Sequence, residues 1–104
     1  MKILFIGKNH SQALKDGDPR SFTSVARTLG HSIAQSLSDL PDIVICLDFE
    51  KGVLSTVEAA RKISIPSVLI VHEPAVVIPQ NSKAFARRVF DKVIEVGRPD
   101  SVPV

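Results

Sequence analysis

The chain has 104 residues, 44% of them apolar, a formal net charge of +2 and one cysteine. That length holds a single domain with its own core, and the apolar share excludes a disordered chain. Scattered basic residues exclude the charged stripe of a nucleic-acid binder, and a lone cysteine excludes an internal disulfide or a multi-cysteine metal site. No apolar run approaches the ~20 residues of a membrane span or the ~7–15 of a signal-peptide core. The sequence therefore reads as soluble and cytoplasmic.

Ile3-Leu4-Phe5-Ile6 is a continuous apolar run closed by Gly7, the pattern of a strand covered on both faces. Residues 8–20 are polar, with Gly17 and Pro19 as turn signals. They are long for a strand-to-helix connection, which usually takes about 2–6 residues. Residues 21–37 are predicted as a helix. Ser21 is its N-cap, and Val25, Leu29, Ile33 and Leu37 form an apolar stripe. Gly30 would weaken that helix by ~1 kcal/mol, which close packing against a sheet would explain. His31 is placed on its surface.

Ile43-Val44-Ile45-Cys46-Leu47 is a second apolar run, ended by Asp48. A helix follows Gly52. Ser55-Thr56-Val57-Glu58 has capping-box spacing. Val53, Val57, Ala60 and Ile63 are expected to face inward, with Arg61 and Lys62 in the last turn, where cations suit the helix dipole. Pro66 closes this unit. Val68-Leu69-Ile70-Val71 makes a third strand, residues 82–90 a short helix, and residues 91–97 a fourth strand interrupted by Glu95.

The order β-α-β-α-β-α-β with right-handed crossovers implies a Rossmann-like three-layer α/β half-fold with a mostly parallel sheet of about four strands. Residues 1–97 form the domain. Residues 98–104 read as a linker or a truncated tail.

In open parallel sheets ligands bind at the C-terminal strand edge, so the loops there are the candidate sites. The first loop, Gly7-Lys8-Asn9, has neither Gly-x-Gly-x-x-Gly nor Gly-x-x-x-x-Gly-Lys-Ser/Thr, which argues against a nucleotide at that turn. It also lacks the acidic pair that holds Mg²⁺ in a phosphotransfer receiver, so Asp48 by itself reads as a turn residue. Cys46, inside an apolar run, reads as packing. His10, His31 and His72 have no metal-ligand spacing.

The third edge differs. His72-Glu73-Pro74 follows the strand directly, and Pro74 keeps Glu73 out of helical geometry. A carboxylate there can take a proton from an attacking hydroxyl, with an imidazole beside it to orient substrate. A purely structural role, with Glu73 accepting backbone N–H groups or pairing with Lys8 or an arginine, stays open on pattern alone.

The stretch His72-Glu73-Pro74-Ala75-Val76-Val77-Ile78-Pro79-Gln80-Asn81, followed by Phe90-Asp91-Lys92-Val93-Ile94, resembles the N-terminal domain of glycosyltransferase family 10, the α-1,3/1,4-fucosyltransferases. The resemblance covers about a quarter of the chain. It implies a GT-B enzyme in which this domain faces a glycan acceptor and a C-terminal domain holds GDP-fucose. Glu73 would be the general base of an inverting transfer, and the family uses no essential metal. His72, Gln80, Asn81, Lys8 and Asn9 would line the acceptor side. This sequence contains no donor-binding domain, so the chain alone is expected to be inactive and to need that domain in cis or in trans. It would then be a fragment, a separate half or a remnant. The rival expectation is a non-enzymatic α/β binding or interaction module, monomeric or homo-oligomeric; a degenerate receiver phosphorylated at Asp48 is a third.

Overall fold

A computed structural model of the chain describes residues 1–7, 21–49, 52–71 and 88–95. The apolar runs become strands β1 (Lys2–Ile6), β3 (Ile43–Leu47) and β4 (Ser67–Val71), with β5 at Lys92–Glu95. A further two-residue strand, β2 (Ser32–Ile33), brings the sheet to five strands among the described residues. Every pairing is parallel and the order is β2-β1-β3-β4-β5. The fold is α/β, with the doubly wound strand order of a Rossmann-like sheet.

Two aspartates fix the register at the N-terminal edge. Asp42 accepts the Lys2 N–H at 2.7 Å, while its own N–H donates to the Lys2 carbonyl at 2.8 Å. Asp91 does the same for β4, accepting from the Ser67 N–H at 2.7 Å and donating its N–H to the Ser67 carbonyl at 3.0 Å.

Strand side chains alternate between faces. One face carries Leu4 and Ile6 of β1, Val44 and Cys46 of β3, and Leu69 and Val71 of β4. It is covered by α2 (Leu54–Lys62), through Val57 and Ala60, and by Val53 just before it. Val44, Cys46, Leu69 and Ala60 are all 0% exposed. Phe49 and Phe90 close one end of this core edge to face, with ring centroids 5.2 Å apart. Val53, Val57 and Ala60 thus point inward as expected, whereas Ile63 lies beyond the helix and is 50% exposed.

The capping box does not form. Val53 is the N-cap and makes no side-chain cap bond. Burial of Val53 against Phe49 sets where the helix starts. Ser55 therefore falls at the second helical position, past the point where its hydroxyl could serve as the cap. At the other end Arg61 donates to the carbonyls of Arg88 and Val89, at 3.2 and 2.6 Å. Arg88 and Val89 are helical; the rest of the helix predicted over 82–90 lies outside the described residues.

The helix predicted over residues 21–37 is broken into three pieces. Only α1 (Phe22–Thr28) is helical, capped as expected by Ser21, whose hydroxyl accepts the Ser24 N–H at 3.1 Å. Gly30 sits at φ +89 with open space around it, so it ends the helix by its left-handed backbone and does not ease any packing. His31 is half-buried in the turn, its Nδ1 2.9 Å from the Met1 amine, and not on a helix surface. β2 then pairs with β1 through Ser32 N–H to the Met1 carbonyl and Ala34 N–H to the Ile3 carbonyl. A 3₁₀ turn at Leu37–Asp39 follows. The stripe residues are dispersed, with Val25 46% and Leu29 69% exposed; Thr23 and Ala26 are the buried residues of α1.

Candidate functional site

The chain leaves β1 toward β2 on one side and reaches β3 on the other. α1 and α2 lie on opposite faces, because Phe22 of α1 meets Phe5 while α2 covers Leu4. The C-terminal ends of β1 and β3 therefore flank the switch point of the sheet, where ligands of open α/β folds sit. Gly7 and Asp48 are the first residues past these two ends.

Gly7 has φ +137, and a Cβ there would lie 2.7 Å from the Leu47 carbonyl oxygen. The backbones approach too closely for any side chain. Gly7→Ala is expected to cost about 1–3 kcal/mol, read as a lower urea midpoint with an unchanged slope.

Asp48 is 0% exposed at φ +58, a conformation aspartate tolerates better than most residues. Its N–H donates to the Ile70 carbonyl at 2.9 Å and its carbonyl accepts the Cys46 thiol at 3.0 Å. The first bond ties the end of β3 to β4, and the second closes the turn at the end of β3 itself. Cys46 itself is 0% exposed and belongs to the cluster of Phe49, Val57, Leu69 and Val71. The sequence marked Asp48 as the end of a strand; it carried no signal that the carboxyl would be fully buried beside the switch point.

The third edge is set by β4. Leu69 and Val71 are 0% and 4% exposed, and Val71 is the last strand residue. His72-Glu73-Pro74 begins at the next position in the chain. Glu73, His72, Gln80, Asn81, Lys8 and Asn9 all lie outside the described residues; Gly7 and Val71 are the last described residues before them.

Two other places carry polar groups. A groove of about 210 Å³ at the opposite edge of the sheet is lined by Arg61, Ser64, Ile65, Pro66 and Asp91. Its charged groups are used in joints already described: Arg61 on two carbonyls and Asp91 on Ser67. Among the described residues no three His, Cys, Asp or Glu side chains come together as a metal site, and no helix is long and apolar enough to cross a membrane.

The described residues form an open parallel α/β domain, and in folds of this kind ligands sit at the strand C-termini. No protein-family model, curated protein or solved structure matches the chain.

Proposed function

We propose that this chain is the acceptor-side domain of a fucosyltransferase-like glycosyltransferase. The observation that carries the reading is the position of Val71. A central, buried strand of an all-parallel sheet ends there, and the family-like His72-Glu73-Pro74 stretch starts at the next residue. In this reading Glu73 takes the proton of the acceptor hydroxyl. The freed oxygen attacks the anomeric carbon of the donor sugar, and the nucleoside diphosphate leaves with its bonding pair. His72, Gln80, Asn81, Lys8 and Asn9 hold the acceptor. GDP-fucose is bound by a C-terminal domain, whose groups stabilise the leaving diphosphate, commonly the largest catalytic term.

The chain alone should therefore transfer nothing, and adding a family 10 donor domain, fused or in trans, should produce GDP-fucose-dependent transfer to a glycan. Failure of every such pairing, with both parts folded, would remove the proposal.

A second reading rests on a different observation. The switch point between β1 and β3 lies wholly within this chain, and sheets of this order bind ligands there without a second domain. The chain would then be a non-enzymatic binding module. A thermal shift by a sugar or nucleotide on the chain alone favours this reading. Burial of Asp48 argues against the receiver alternative, since a phosphoryl donor must reach that carboxylate.

A further inference from the structure

No further inference is drawn: the strongest candidate, the groove at the N-terminal edge of the sheet lined by Arg61, Ser64 and Asp91, carries nothing, because Arg61 and Asp91 are already engaged with the backbone of Arg88, Val89 and Ser67 and nothing in the structure points to a ligand there.

Discussion

Leu69→Ala is expected to remove about 2–5 kcal/mol from the folding free energy, a large share of the ~5–15 kcal/mol of a domain this size. Leu69 is 0% exposed in β4, paired with Cys46 on one side and Val93 on the other, and packed in the cluster of Phe49, Val57 and Phe90. Truncation leaves a hole lined by residues that are themselves held by neighbours on both strands, so the site can collapse only partly. The same change at Ile94, 40% exposed on the other face of the sheet, should cost less than about 1 kcal/mol. Urea unfolding of the two variants side by side measures the difference between the faces, and equal losses would contradict it.

Glu73→Gln is expected to lower transfer by about 10²–10⁴-fold in an assembly with a donor domain, the usual contribution of a positioned general base. Glutamine keeps the size and hydrogen-bonding reach of the side chain but cannot accept the acceptor's proton. The loss should therefore fall on kcat and leave the acceptor KM nearly unchanged, since ground-state binding is retained. A donor-hydrolysis assay without acceptor should be less affected. Full activity in the Gln variant would remove Glu73 from the base role while leaving the domain assignment open to test by complementation.

The strands were readable because apolar residues occupy both faces of β3 and β4, one face fully buried and the other mostly half-buried. Residues 43–47 and 68–71 needed no period to be recognised, only an unbroken apolar run and a terminator. The segment after Ser21 was not readable in the same way. An i, i+4 apolar repeat through Val25, Leu29, Ile33 and Leu37 satisfies a helix on paper, yet Gly30 turns left-handed and the chain completes the sheet edge with two residues. Ser32-Ile33 has no alternation of its own; only the carbonyls of Met1 and Ile3, far away in sequence, make it a strand. At Ser55 a local capping signal lost to burial of Val53, a tertiary effect with no local signature. Of the candidate site, the sequence located the strand ends that matter, including Val71. It could not show that Gly7 sits against the Leu47 carbonyl, because that contact joins residues forty positions apart.

The brevity of β2 has a bearing on aggregation. An edge strand with a long row of unpaired N–H and C=O groups is a template for another chain. Ser32–Ile33 is two residues long, framed by the turn at Gly30 and the 3₁₀ turn at Leu37–Asp39. An incoming strand would find too little backbone there to hold a register. Among the described residues, β2 itself is too short to start fibrillar growth.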